Sequence, residues 1–338
     1  PAWRPPAPPA PTAIAALPPF ARGHQVCFDS WRDLGNAGWG YEDVLPSFKR
    51  LEKYEGGASE YRGADGPLSV VHCWDPHALH RAFLLASVSG GFQQDSRHDF
   101  NGPRSQSFAG YYQKAALDDG PHTFDAAFLA PAQGAGLTVV SGAVTRVVME
   151  KGRAVGVEVA RGATREVVRA ARGVLVCAEP VRAAQILLLS GIGPADHLKA
   201  MGVPVVADRP GVGGNLHDQQ GVALRWQAKE PALGLPESTV SAGMFTVSLN
   251  ASPPDLQMDY LDPRAAGGPL LGIDVILTQP TSRGEVVDAM LAVHGVEGLR
   301  VAGAAVMPVV VNAPPAAAAL MIGDRAADFL LAGPAARA

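Results

Sequence analysis

Between Leu137 and Pro194 the chain switches from strand-like to helix-like patterning, and that switch limits its folds more than any other feature. Leu137–Val140, Val144–Glu150, Ala154–Val159 and Arg165–Arg169 are short runs rich in β-branched residues, which suit a pleated, half-buried surface. Lys151-Gly152 and Arg161-Gly162 separate the later runs with turn chemistry, so the spacing predicts an antiparallel meander. Gly173–Cys177 reads as a further apolar strand leading into a helix at Val181–Leu189. Ser190-Gly191-Ile192-Gly193-Pro194 ends that helix with a glycine stop followed by proline. The predicted class is α/β, of the mixed α+β kind.

Elsewhere Val44, Leu45, Phe48 and Leu51 recur at helical spacing within Glu42–Lys53, with Pro46 expected in the first turn. A second helix is predicted over Pro76–Ser87, with Leu79, Phe83 and Leu84 on one face. Pro194–Met201 reads as a short helix, Val203–Val206 as a short strand and Gly211–Gly214 as a loop. Val222–Trp226, Thr239–Leu249, Leu256–Leu261 and Ile273–Leu277 read as strands. Leu299–Val301 is a final strand, and Ala316–Leu331 an alanine-rich helix stopped by Gly333-Pro334.

With 338 residues, 47% of them hydrophobic, the chain can bury one large core or two ordinary ones. Its 38 glycines and 29 prolines point to many turns. A net charge of −4 argues against a nucleic-acid partner. No apolar run approaches the roughly 20 residues that cross a bilayer. Cys27, Cys73 and Cys177 are too few and scattered for a disulfide framework. Residues 1–20, mostly alanine and proline, read as a disordered arm and not as a signal peptide. Because the first residue is Pro1, the true amino terminus is expected to lie upstream. The compartment stays open, with a soluble cytoplasmic or organellar setting favoured.

Several segments, in order, resemble the glucose–methanol–choline (GMC) oxidoreductases, choline and alcohol dehydrogenases among them. They begin with Arg22-Gly23-His24 and run from Trp31 to Tyr41 and from Asp43 through Pro46 to Arg50. Gly66-Pro67-Leu68, Asp99–Gly102, Gly110–Gln113 and Ala127–Ala132 follow. Gln185–Pro194, Pro210–Leu216 and Pro280–Gly284 come next, and His294–Val301 with Val306–Pro308 and Met321–Gly323 completes the series. The resemblance implies an FAD-binding Rossmann-like domain with an antiparallel-sheet substrate domain. It implies FAD as cofactor, and oxidation of the CH–OH group of an alcohol or choline-like small molecule to the aldehyde. On that layout residues 21–120 form a cover region, 121–220 part of the FAD-binding domain, 221–285 a substrate-domain remnant and 286–338 the carboxy-terminal FAD-binding segment.

The same resemblance marks departures. The family's amino-terminal strand–GxGxxG–helix, its first βαβ unit, has no counterpart here, and alanine and proline fill Pro11–Ala16 where a glycine–serine flavin motif belongs. The catalytic histidine's His-x-x-Gly-Thr segment is missing where Glu285 meets Val286. Its partner position falls at Pro314, two residues after Asn312, and the acidic and serine positions of the last strand's turn fall at Gly303 and Ala305. Glu179-Pro180 replaces a Gly-Ala pair, and Ala183 a serine. No catalytic residue is therefore assigned. The cofactor contacts expected from the resemblance are Val144, whose backbone would meet the adenine, with Gly303, Asn312 and Ala313. The chain is expected to be truncated, internally deleted and inactive as it stands. The alternative is a non-catalytic pseudoenzyme or fragment that acts through protein association, self-association through uncovered apolar surface included.

Other candidates have plainer readings. His294 fits a structural His-Gly-Val turn better than a replacement base. Gly211–Leu216 lacks the third glycine and the following helix of a phosphate cradle. His72, Cys73, His77 and His80 fit a solvated helix face better than a metal site, so no metal is expected. Asp99–Gly102 reads as a turn in which glycine permits positive φ. Trp31, Trp39 and Tyr41 read as packing rather than a substrate box.

Overall fold

The computed structural model describes residues 19–73, 77–102, 108–115, 125–214, 216, 218–227, 242–247, 254–261, 270–277 and 290–332. The expected arm lies outside them except for Pro19 and Phe20, and so does the Glu285–Val286 junction. The chain opens with α1 (Gln25–Asp33), whose first turn is capped by the His24 ring accepting from the Val26 N–H. In α2 (Tyr41–Leu51) the Asp43 carboxylate reaches back to the Gly40 N–H at 3.0 Å, while Lys49 and Arg50 complement the dipole at the far end. Pro46 lies inside α2, past the first turn where it was expected. The helix forgoes the bond a residue there would donate to the Glu42 carbonyl. Burial of Val44, Leu45, Phe48 and Leu51 keeps it intact.

Next come β1 (Glu52–Tyr54), β2 (Leu68–His72), α3 (Ala78–Ser89), β3 (Gln93–Gln94), β4 (Phe108–Tyr111) and β5 (Gln113–Ala115). The short α4 (Ala130–Gly134) leads to β6 (Ala143–Glu150), β7 (Arg153–Arg161) and β8 (Thr164–Arg169). Then follow β9 (Val174–Val176), α5 (Pro180–Leu189), β10 (Ile192–Gly193), α6 (Ala195–Ala200) and β11 (Ala207–Asp208). The remainder is β12 (Gly221–Gln227), β13 (Ala242–Thr246), β14 (Leu256–Leu261), β15 (Leu270–Leu277), β16 (Leu299–Val301) and α7 (Ala316–Leu331).

The meander has three strands, β6-β7-β8, rather than four. Leu137–Val140 forms no strand: it is exposed, irregular chain without a ladder partner among the described residues, and β propensity alone holds no strand. The strand expected at Val203–Val206 falls instead at β11, parallel to β10, because the Val206 N–H turns onto the Gly191 carbonyl at 2.8 Å. β9 and β16 pair in parallel across 120-odd residues, as α/β domains require. The largest sheet runs β12-β15-β14-β13-β4-β3. It draws two strands from residues 93–111, so its members are not confined to 221–285.

Among the described residues the apolar side chains gather into four clusters, two of them large. One gathers Phe28, Trp31, Trp39, Tyr41 and Phe48 against Met321 and Ile322 of α7. The aromatic trio is thus packing, with the Trp31 and Phe28 rings edge to face at 5.2 Å. Arg50 reinforces it with ion pairs to Asp324 and Asp328. The other core sets Val147, Ile186, Leu187 and Leu299 between β6, α5 and β16. The expected solvated histidine face of α3 is corrected at His80. That ring is buried edge-on to Tyr260 and Tyr111, on the face that carries Leu84 and Ser87 into the sheet.

Candidate functional site

Arg22, Glu52, Arg62 and Asp99 meet where the amino-terminal segment, β1 and the Asp99–Gly102 turn converge. Glu52 ends α2 and enters β1, which turns its carboxylate inward. Its Oε1 accepts from Arg22 at 2.5 Å and from the Gly63 N–H at 2.8 Å, and lies 3.2 Å from Arg62 Nε. Arg22 also donates to the Tyr61 carbonyl at 2.6 Å, and Arg62 to Asp99 at 3.1 Å. The Arg62 guanidinium lies 3.9 Å from the Tyr54 ring centroid. Burial pulls Arg62 below its ordinary pKa, against the upward pull of Glu52 and Asp99. Two buried cations are thus balanced by the fully buried Glu52 and by Asp99, while among the described residues Glu52 Oε2 and the Arg62 Nε and Nη2 atoms are buried without a hydrogen-bond partner. A cavity of about 10 Å³, room for one water, opens beside Arg22, His24, Tyr41, Tyr61 and Asn101.

The Asp99–Gly102 turn forms, its Gly102 N–H donating to the Asp99 carbonyl at 3.1 Å, although Gly102 does not take the positive φ expected of it. Asn101 then stitches it inward. Its Oδ1 accepts from the Arg22 N–H at 2.8 Å and its Nδ2 donates to the Phe20 carbonyl at 2.7 Å.

A second knot centres on Asn312, which is fully buried. Asn312 Oδ1 accepts from the His24 N–H at 2.7 Å and from the Cys27 thiol at 3.2 Å, and Nδ2 donates to the Pro254 carbonyl at 3.0 Å. Gln219 Nε2 braces the same loop through the carbonyls of Val311 and Ala313 at 2.8 and 3.1 Å. Burial pushes the Cys27 thiol up to about 11, against the pull of its hydrogen bonds. Burial also lowers the His24 pKa, opposed by Asp29.

A third cluster lies on the large sheet. The Tyr112 hydroxyl donates to Asp259 Oδ1 at 2.7 Å, and Gln257 Nε2 donates to both Asp259 oxygens at 2.9 and 3.1 Å. Burial raises Asp259 to about 6, with Tyr112 and Gln257 opposing and Asp274 adding to the rise. Burial likewise drives the Tyr112 hydroxyl well above its ordinary value.

The four expected cofactor residues divide in two. Val144 is 40% exposed on β6, at a register shift in its pairing with β7. Gly303 sits at φ +89°, ψ −162°, a conformation open to glycine, with free space where a Cβ would project. Asn312 and Ala313 are instead fully buried, the latter among Ala21, Phe100, Tyr112 and Phe245. Gly211–Gly214 forms a turn around buried Val212 and opens no helix. His294 lies in an exposed turn, its carbonyl accepting from Arg209 at 2.6 Å. Glu179 precedes Pro180, the first residue of α5, and its side chain makes no capping bond. Sequence reasoning missed the Glu52 and Asp259 clusters; a charge inside the apolar strand pattern Leu256–Leu261 was the signal available for Asp259, whereas Glu52 falls among the charges of the predicted helix Glu42–Lys53 and gave none.

The sequence profile of the GMC oxidoreductases matches residues 18–220, and its carboxy-terminal counterpart matches residues 278–323. This chain belongs to the GMC oxidoreductase family. It is 37% identical over 267 residues to an oxygen-dependent choline dehydrogenase of Rhizobium etli, across 72% of this chain and 48% of the relative. It spans about half the length of the curated relatives it matches. Among solved structures it is similar to pyridoxine 4-oxidase from Mesorbium loti, with TM-score 0.81 and 21% identity over 95% of this chain and 82% of that one. A formate oxidase from Aspergillus oryzae, at TM-score 0.81 and 17% identity, covers 94% and 82%. The mixed α/β fold is thus that of the GMC oxidoreductases, whose cofactor is FAD. The described residues meet FAD's needs only in part. Gly303 leaves free space where a Cβ would project and Val144 is 40% exposed, but among the described residues the Gly211–Gly214 turn opens no helix whose amino terminus could hold a pyrophosphate.

Proposed function

We propose that this chain carries the scaffold of an FAD-dependent oxidoreductase acting on the CH–OH group of a choline-like or other small alcohol, giving the aldehyde. We propose further that these 338 residues alone bind flavin poorly and do not turn over. In such a reaction FAD, when bound, accepts the hydride, and a protein base must take the hydroxyl proton. The family match over residues 18–220 and 278–323 supports the scaffold. The observation that carries the second part is Asn312. Fully buried, its Oδ1 accepts from the His24 N–H and the Cys27 thiol and its Nδ2 donates to the Pro254 carbonyl, so the amide nearest the expected partner position is engaged in holding the fold together.

The test is a visible spectrum of the purified chain, incubated with FAD and desalted, alongside an alcohol-oxidation assay. Loss of flavin absorbance and no turnover are the expected results. Retained yellow colour with turnover of choline or a simple alcohol would overturn the second part. A non-catalytic protein that acts by association, including with itself, is the second reading. The exposed apolar residues of β12 favour it.

A further inference from the structure

Strand β12 is the terminal strand of the six-stranded sheet among the described residues. On its inner side the Gln220 carbonyl accepts from the Leu277 N–H at 2.7 Å. Backbone groups alternate direction along a strand, so Val222, Leu224 and Trp226 also aim theirs at β15. Gly221, Ala223, Arg225 and Gln227 therefore aim their N–H and C=O groups away from the sheet.

The side chains alternate on the perpendicular axis. Val222, Leu224 and Trp226 stand on one face, 64%, 43% and 47% exposed. Arg225 stands on the other and is neutralised by Asp274 of β15 at 2.7 Å. The strand contains no proline, and its pairing with β15 runs without a register shift. Natural edges are guarded by charges, prolines, bulges or covering segments. The lone charge here is already paired off.

We propose that β12 is a self-association edge, through which two copies pair antiparallel about a two-fold axis at Leu224. The register follows from the backbone. Residues with outward N–H and C=O groups must face one another, which pairs Gly221 with Gln227 and Ala223 with Arg225 in both directions. Leu224 then faces Leu224 of the second copy, and Val222 faces Trp226. These are non-hydrogen-bonded pairs, in which facing side chains approach most closely. The apolar face becomes continuous across the junction, while each Arg225 lies opposite an alanine. A two-fold at Arg225 would oppose two guanidiniums. One at Ala223 would leave Gln227 unpaired and set Trp226 against Gln220. Of these three axes the one at Leu224 satisfies both backbone and side chains and pairs the whole strand, and such a contact closes on itself as a dimer. The inference deepens the association reading above and does not depend on flavin binding.

The test measures solution mass by light scattering over a concentration series, for the parent and for Leu224→Lys. The parent is expected to reach dimer mass and Leu224→Lys to fall to half of it, with an unchanged circular dichroism spectrum. In a Cys177→Ser background, chosen because Cys177 is exposed, Leu224→Cys is expected to cross-link to itself under mild oxidation. Ala223→Cys, which faces Arg225 of the second copy, is expected not to. This pair decides the matter even if Leu224→Lys fails to fold. A parent that stays monomeric throughout, or equal cross-linking by both cysteine variants, overturns the proposal. Neither outcome bears on whether the chain holds flavin, which the spectrum reads separately.

Discussion

Asn312 and His24 stand 288 positions apart in the chain, yet the His24 N–H donates to Asn312 Oδ1 at 2.7 Å. With the Nδ2 bond to Pro254, one buried amide ties the amino-terminal segment, the sheet entry and the loop before α7. Asn312→Ala leaves a buried N–H and a buried C=O without this partner, at about 1–3 kcal/mol for each group left unsatisfied. The expected result is a lower urea midpoint with faster hydrogen exchange at His24. A midpoint unchanged from the parent would show that the knot holds nothing.

Among the described residues Glu52 is the anion shared by Arg22 and Arg62. Glu52→Gln keeps the shape and removes the charge, so it is expected to cost about 3–5 kcal/mol, as breaking a buried pair does. Asp99→Asn, at the partly exposed end of the network, is expected to cost about 1 kcal/mol. Chemical denaturation of both variants checks the ranking, and equal losses would contradict it.

Asp259 supplies a pH dependence. Its folded pKa of about 6 lies above the ordinary carboxylate value, so the folded protein holds this proton more tightly than the unfolded chain. The resulting stability is fully present below the unfolded pKa, declines as pH rises and is gone above about 6. Asp259→Asn is expected to raise stability at pH 8 by up to about 3 kcal/mol, the equivalent of a two-unit shift, and to change little at pH 4. Gln257 can turn its unpartnered Oε1 toward the new amide. Thermal midpoints of parent and variant at the two pH values read the difference.

Gly243 is fixed by crowding. A Cβ there would lie 2.2 Å from the Tyr112 hydroxyl oxygen. Gly243→Ala must displace that ring and with it the bond to Asp259, at a cost of about 1–3 kcal/mol. In the Asp259→Asn background the penalty is expected to shrink, because the displaced hydroxyl no longer abandons a charged partner. A double-mutant cycle measures the coupling.

Much of the local structure was legible in the residues. Leu299–Val301, Leu256–Leu261 and Ala316–Leu331 form the elements their patterns predict, with the same limits. The turn at Asp99–Gly102 and the His294 turn also follow from local chemistry. Family membership was legible too, because the short matching segments from Arg22 to Gly323 kept their order. The errors fell where a partner strand or an entry angle decides. Leu137–Val140 has strand composition and no ladder, and Pro46 sits a turn deeper than its residues suggest.

Period and turn chemistry act over a few residues, so the sequence by itself determined the mixed α/β class, the strands from Ala143 on that carry a β-branched pattern, and the helices α2, α3, α5, α6 and α7, though not α1, α4 or β1–β5. Only the tertiary structure decided that Glu52 is the counter-ion of Arg22 and Arg62, that Asn312 is engaged inside the fold, and that β12 is the terminal strand of its sheet among the described residues. Those outcomes depend on which polar groups meet after residues far apart in the chain are buried together, and a buried group's charge and bonding are set by neighbours that no local pattern names.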